Sequence, residues 1–104
     1  MSLFDILFNK SAHAAYIKEM YCNGAIILDV RTPEEFSAGH IEEAINIPID
    51  QLEEQLDILK QQHKTFIIVC KSGARSSKAA TMLKKAGIES FNGGGWETLA
   101  EQIL

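Results

Sequence analysis

Phe66-Ile67-Ile68-Val69-Cys70-Lys71-Ser72-Gly73-Ala74-Arg75-Ser76-Ser77 is the stretch on which the reading of this chain turns. Its first five residues are continuously apolar and rich in β-branched side chains. That is the pattern of a strand buried on both faces, as in a parallel sheet covered by helices. Only Lys71 to Ala74 separate Cys70 from Arg75, where a helix begins. So short a loop must curl around the strand end. Its N–H groups, with the unpaired N–H groups of the helix's first turn, then converge on one point. Ligands of open parallel sheets bind beyond the carboxyl ends of the strands, and Cys70 falls at that edge. Converging N–H groups stabilise a thiolate and supply donors to an anion docked above the sulfur. Lys71 and Arg75 add charge, and Arg75 offers a planar fork suited to an oxyanion. A free cysteine at a strand end is commonly just a small buried apolar residue. The polar, glycine-containing, cationic loop after Cys70 favours a reactive one here. The candidate site is therefore Cys70 as nucleophile, with Lys71, Ser72, Gly73, Ala74, Arg75 and Ser76 binding the substrate.

Working outward, Ala25-Ile26-Ile27-Leu28-Asp29-Val30 has the same unbroken apolar character. Shorter strand candidates are Ala44 to Ile47, stopped by Pro48, and Ile88 to Phe91, stopped by Asn92-Gly93. Thr32-Pro33-Glu34-Glu35 is a capping box with proline at the first helical position, and Gly39 ends that short helix. Asp50-Gln51-Leu52-Glu53 reads as a second box, opening a helix with Leu52, Leu56 and Leu59 on one face. Ala79, Met82, Leu83 and Ala86 follow helical spacing, with Gly87 as the terminating residue. Ser11 is placed to cap an opening helix that ends near Asn23-Gly24, and a last helix starts near Trp96. This alternation predicts an α/β domain with a mostly parallel sheet.

At 104 residues the chain has room for one domain of ordinary size, here residues 11–104 after a segment of unknown role, 1–10. A 46% hydrophobic and 23% charged composition excludes disordered, collagen and low-complexity classes, and a formal charge of -4 argues against nucleic acid as partner. Two cysteines cannot build a disulfide framework. No apolar run approaches the ~18 residues of a membrane span, and Met1 to Phe8 lacks the features of a secretory signal. The expectation is a reduced, cytoplasmic protein with no membrane partner. Asp29 to Asp57 holds nine acidic residues and Arg31 as its lone base, whereas Lys64 to Ile88 holds six bases and no acid. The basic half surrounds Cys70 and favours anionic substrates.

Leu28-Asp29-Val30-Arg31-Thr32-Pro33-Glu34-Glu35-Phe36, Gly39-His40-Ile41, Ala44-Ile45-Asn46-Ile47-Pro48, Cys70 to Ser76 and Gly94-Gly95-Trp96 together resemble a rhodanese domain in order and spacing. The resemblance runs from about Ser11 to the end of the chain. It implies a three-layer fold with a central, mostly parallel sheet of about five strands and helices on both faces; Leu7-Phe8 could supply a short edge strand. It also implies sulfur transfer of the thiosulfate sulfurtransferase type, through a persulfide on Cys70. The thiolate attacks the outer sulfur of a donor such as thiosulfate, sulfite leaves, and a thiol, cyanide or relay protein removes the terminal sulfur. No metal or organic cofactor is called for. One alternative is a non-catalytic or partner-dependent module that relays sulfur or binds a protein. Another is a Cys-loop phosphatase or arsenate reductase, whose C-x5-R loop is one residue longer than the C-x4-R found here.

Asp29 and Arg31, two apart at a strand end, are expected to pair and to tie the neighbouring strand to the active-site loop. His40 is expected to hydrogen-bond within the turn after Gly39, and the resemblance places Trp96 as a core or rim aromatic near the loop. Cys22 reads as a buried apolar residue. His13 and His63 read as helix-surface residues with no second ligand type beside them, so no metal is assigned. Gly93-Gly94-Gly95 lacks the Lys-Ser/Thr of a phosphate loop and fits a turn with close packing.

Overall fold

The computed structural model describes residues 10–104. In chain order the elements are α1 (Lys10–Cys22), β1 (Ile26–Asp29), α2 (Pro33–Ala38), β2 (Ile45–Asn46), a 3-10 turn (Ile49–Gln51), α3 (Leu52–Gln61), β3 (Phe66–Cys70), α4 (Ala74–Lys85), β4 (Ser90–Gly95) and α5 (Trp96–Ile103). All strand pairs are parallel and the order is β2-β1-β3-β4. This is the expected three-layer α/β architecture, with four strands among the described residues rather than about five. The proposed edge strand at Leu7-Phe8 lies outside the described residues.

The unbroken apolar runs follow from cover on both faces. In β3, Phe66, Ile68 and Cys70 pack with Leu52 and Leu59 of α3 and Ala79, Ala80 and Leu83 of α4. Ile67 and Val69 point the other way, into a cluster with Ile17 of α1 and Leu99 of α5. Both faces of β3 and of β1 are thus dry, and each fully buried Ile, Leu or Phe contributes roughly 1.5–3 kcal/mol.

Helix ends show where local signals held and where packing overrode them. The box at α2 forms: Thr32 Oγ1 accepts from the Glu35 amide at 3.2 Å and Glu35 Oε1 accepts from the Thr32 amide at 3.0 Å. At the end of α4, the Gly87 and Ile88 amides donate to the carbonyls of Lys84 and Leu83, at 3.0 and 2.9 Å, which closes the helix as expected. The box at Asp50 does not form. Residues 49–51 make a 3-10 turn, and α3 starts at Leu52 behind Gln51, which makes no side-chain cap. Ser11 lies inside α1 rather than ahead of it.

The last strand departs most from expectation. β4 begins at Ser90 and runs through Asn92-Gly93 to Gly95. Its register slips opposite Ile68 and Val69, so Asn92 faces Ile68 while Gly94 faces Val69. The Asn-Gly turn signal is absorbed as a bulge within the strand, the Asn92 side chain accepting from the Gly94 amide at 2.9 Å. Cys22, at the end of α1, is exposed rather than buried. His63 sits past the end of α3 with φ 53°, not on the helix surface.

Candidate active site

β3 lies between β1 and β4, so three strand ends surround Cys70, its last residue. Gly73 stands immediately before α4 with φ 103°, a left-handed conformation open to glycine at little cost. That reversal turns the loop back over the sulfur. The Gly73 amide donates to Cys70 Sγ at 3.0 Å and the Ser76 amide at 3.4 Å, with the Ser76 hydroxyl 3.3 Å away. The loop is pressed against β4 so closely that a Cβ on Gly95 would lie 2.8 Å from the Lys71 carbonyl oxygen. This close approach, not a turn, accounts for the last glycine of the triplet.

Cys70 is 1% exposed. Burial pushes its thiol up, but bonds from the Ser76 hydroxyl and from the amides of Ser76, Gly73 and Ser72 outweigh burial and bring it below the ordinary thiol value. The loop therefore favours a thiolate on geometric grounds. Within it, Lys71, Ser72 and Ala74 are exposed, Gly73 and Arg75 half-buried, and Ser76 buried.

The fork of Arg75 is engaged inside the chain. Its Nη1 and Nη2 donate to Glu35 Oε1 and Oε2 at 2.6 and 2.9 Å. Bonds from Arg75, then the Thr32 amide, lower the Glu35 carboxyl to about 2. Glu35 in turn holds Arg75 above its ordinary value. The residue that closes the α2 capping box thus also anchors the first turn of α4.

At the end of β1, Asp29 and Arg31 form a buried pair at 2.8 Å. Arg31 also donates to the Gly39 and Glu35 carbonyls, at 2.7 and 3.2 Å, and its guanidinium carbon stands 4.7 Å from the centre of the Trp96 ring. Asn46 Nδ2 donates to the Asp29 and Arg31 carbonyls, each at 3.0 Å. The pair thus binds β1 to α2, β2 and α5, while the tie from this edge to the Cys70 loop is Glu35–Arg75. His40 bonds through Nδ1 to the Phe36 carbonyl at 2.7 Å and stacks on the Phe36 ring.

Two residues of the site had no functional signal in the sequence. Glu35 was accounted for by its cap. Asn92-Gly93 signals only a turn, yet Asn92 Oδ1 accepts from Ser76 Oγ at 2.7 Å and its Nδ2 donates to the Gly73 carbonyl at 3.3 Å. A depression of about 620 Å³ opens beside the loop, lined by Ser72, Gly73, Asn92 and Gly94 with His13 and Lys84 on its walls. A larger one of about 690 Å³, between α3 and α4, is lined by Ile49, Leu56, Lys78, Met82 and their neighbours and contains no cysteine. Among the described residues no group of three or more His, Cys, Asp or Glu could hold a metal ion. None of their helices is long and apolar enough to cross a membrane.

The model of the rhodanese-like domain matches residues 13–101. Thiosulfate sulfurtransferase 16, chloroplastic, of Arabidopsis thaliana is 40% identical, over 75% of this chain and 74% of that protein. The tRNA uridine(34) hydroxylase of an Enterobacter species is 34% identical over 80% of this chain, which spans only 27% of that protein's length. Among solved structures, a rhodanese-related protein from Thermoplasma volcanium superposes with a TM-score of 0.72 at 34% identity, covering 86% of this chain and 88% of that one. With the parallel sheet, the loop around Cys70 and this agreement over most of its length, the chain belongs to the rhodanese-like domain family.

Proposed function

We propose that the protein is a sulfurtransferase that carries a sulfane sulfur on Cys70, with thiosulfate or a persulfide as donor. The observation that carries this reading is the sulfur at the end of β3, met by the Gly73 and Ser76 amides and the Ser76 hydroxyl. The Cys70 thiolate attacks the outer sulfur of thiosulfate, a new S–S bond forms, and sulfite leaves with the electron pair of the bond that breaks. One negative charge stays on the enzyme as Cys70–S–S⁻, and the amides of Ser72, Gly73 and Ser76 are the donors that stabilise it. A thiol, cyanide or relay protein then attacks the terminal sulfur and returns the thiolate. Lys71, exposed beside the sulfur, draws the anionic donor; Ala74 contributes backbone at the start of α4. Asp29, Arg31, His40 and Trp96 brace α2 and the end of β1, and that brace reaches the loop through the Glu35–Arg75 pair. The chemistry asks for no metal or organic cofactor, and the free thiols suit a reducing compartment such as the cytoplasm.

A phosphatase reading has less support. The Arg75 fork that would clamp a phosphoryl group is taken up by both oxygens of Glu35. The relay reading keeps the same persulfide and differs only in the identity of donor and acceptor.

Intact mass after exposure to thiosulfate tests the proposal. The expected result is a gain of one sulfur on Cys70, reversed by a reductant and absent from Cys70→Ser. A chain that gains no sulfur from thiosulfate or from a low-molecular-weight persulfide, or gains it only on Cys22, overturns it.

A further inference from the structure

The Ser76 hydroxyl has a single proton and two neighbours that need it. Ser76 Oγ stands 2.7 Å from Asn92 Oδ1 and 3.3 Å from Cys70 Sγ. The Asn92 amide cannot turn over to relieve the conflict. Its oxygen accepts from the Gly94 amide at 2.9 Å and its nitrogen donates to the Gly73 carbonyl at 3.3 Å, and a flip would set donor against donor and acceptor against acceptor. Asn92 therefore presents a fixed acceptor to Ser76. While Cys70 is a thiol, every group is matched: the S–H donates to Ser76 Oγ, and Ser76 donates to Asn92. A thiolate breaks this chain, because it needs the Ser76 proton for itself.

We propose that Asn92 is a positioning residue that, by competing for the Ser76 proton, weakens the hydrogen bond the Ser76 hydroxyl gives the bare Cys70 thiolate and keeps that sulfur nucleophilic. The inference rests on the reading of Cys70 as sulfur carrier and adds a direction to it. Once the outer sulfur is attached, Cys70 Sγ is a neutral, disulfide-like atom and the charge has moved one atom outward. Ser76 then turns fully back to Asn92, so the loaded state recovers a Ser76–Asn92 bond that the bare thiolate weakens. Asn92 thus favours loading, through a hydroxyl that never gives up its proton. The charged or titratable groups on the elements around Cys70 are Lys71 in its loop, Arg75 on α4 with Glu35 of α2 against it, the Asp29–Arg31 pair at the end of β1, and His13 of α1 and Lys84 of α4 on the walls of the depression beside Asn92. β4 presents no charged residue, so Asn92 is the polar side chain of that strand at the sulfur's hydroxyl partner.

The test is the pH dependence of Cys70 alkylation in a Cys22→Ala background, which reads the thiolate without any sulfur donor and so stands apart from the sulfur-transfer proposal. Asn92→Ala and the shape-preserving Asn92→Leu remove the competing acceptor. Each is expected to lower the alkylation midpoint by about one pH unit, the scale of one hydrogen bond to a charged group. Neither is expected to move it in a Ser76→Ala background. A merely structural role loosens the loop, removes amide donors and raises the midpoint. A raised or unmoved midpoint in the folded variants, or a fall that persists without the Ser76 hydroxyl, overturns the proposal. A second measurement needs no Asn92 variant: the S–H stretch of Cys70 is expected at lower frequency than that of Cys22, as befits a thiol donating to Ser76. A Cys70 band at or above the Cys22 frequency overturns it equally.

Discussion

β1 and β3 lie side by side, end at the same edge of the sheet and run through short loops into helices, yet their ends are closed in opposite ways. At the end of β1 the chain supplies both partners: the Asp29 carboxylate and the Arg31 guanidinium satisfy each other, and the remaining guanidinium donors go to backbone carbonyls. At the end of β3 the backbone supplies donors in excess, aimed at a single sulfur that brings no formal charge unless it ionises. The first arrangement is complete without a ligand. The second is stabilised further when an anion sits at its centre, which is the physical difference between a brace and a candidate reactive site.

Removing the nucleophile gives the largest effect. Cys70→Ser is expected to reduce thiocyanate formation from thiosulfate and cyanide to the uncatalysed rate while thermal unfolding barely changes, since the substitution keeps the volume and loses only the thiolate. Transfer at the parental rate would show that the sulfur is carried elsewhere. The corresponding cut at β1 acts on the fold instead. Asp29→Ala strands the Arg31 charge, whose side chain is 5% exposed, and is expected to cost about 3–5 kcal/mol in urea unfolding. A loss below about 1 kcal/mol would mean that Arg31 finds water or another partner, and the two strand ends would no longer differ in kind.

The same contrast marks what the sequence disclosed. Both strands were legible because cover on two faces writes an unbroken apolar run, and the Cys70 loop because four residues between strand and helix leave the backbone little choice of path. The Glu35–Arg75 pair, forty positions apart, was hidden because the capping box already explained Glu35. Asn92 was hidden because Asn-Gly is a turn signal, and only pairing against the Ile68–Val69 irregularity makes it a bulge that reaches Ser76. The Asp50 box failed where Ile49 and Leu52, both packed on the α3–α4 side of the sheet, dictate the entry into α3. The exposure of Cys22 is not legible in the sequence, because its place at the last position of α1 does not say which way it faces.

The two cysteines sharpen the comparison at the level of chemistry, because access and activation point in opposite directions. Cys22 is exposed and Cys70 is buried, so a reagent governed by access modifies Cys22 first. Hydrogen bonds from Ser76 and the loop amides lower the Cys70 thiol, so a reagent governed by thiolate modifies Cys70 first. Limited iodoacetamide labelling at about pH 6.5, below the ordinary thiol value of roughly 8.5, is expected to favour Cys70 several-fold. Thiosulfate or sulfite should protect it, less so at high salt. Equal labelling of the two, or no protection, would remove the activated loop from the contrast.

The smallest effect belongs to the pair that joins the two loops. Glu35 is lowered from 4.5 to about 2 by Arg75 and the Thr32 amide, so it binds fewer protons folded than unfolded. Its contribution to stability is therefore present above about 4.5 and is lost as the pH falls from there through about 2. Both side chains are about a third exposed, at 31% for Glu35 and 34% for Arg75, and solvent screening keeps that contribution under about 1 kcal/mol. Glu35→Gln separates the charge from the cap, because glutamine at this position still accepts from the Thr32 amide. Urea midpoints of the two proteins are expected to differ slightly near neutral pH and to converge under acid, where the parent has lost its carboxylate. A difference that stays constant across that window would place the loss in the cap or in packing. The join between the α2 and Cys70 loops would then be steric rather than electrostatic.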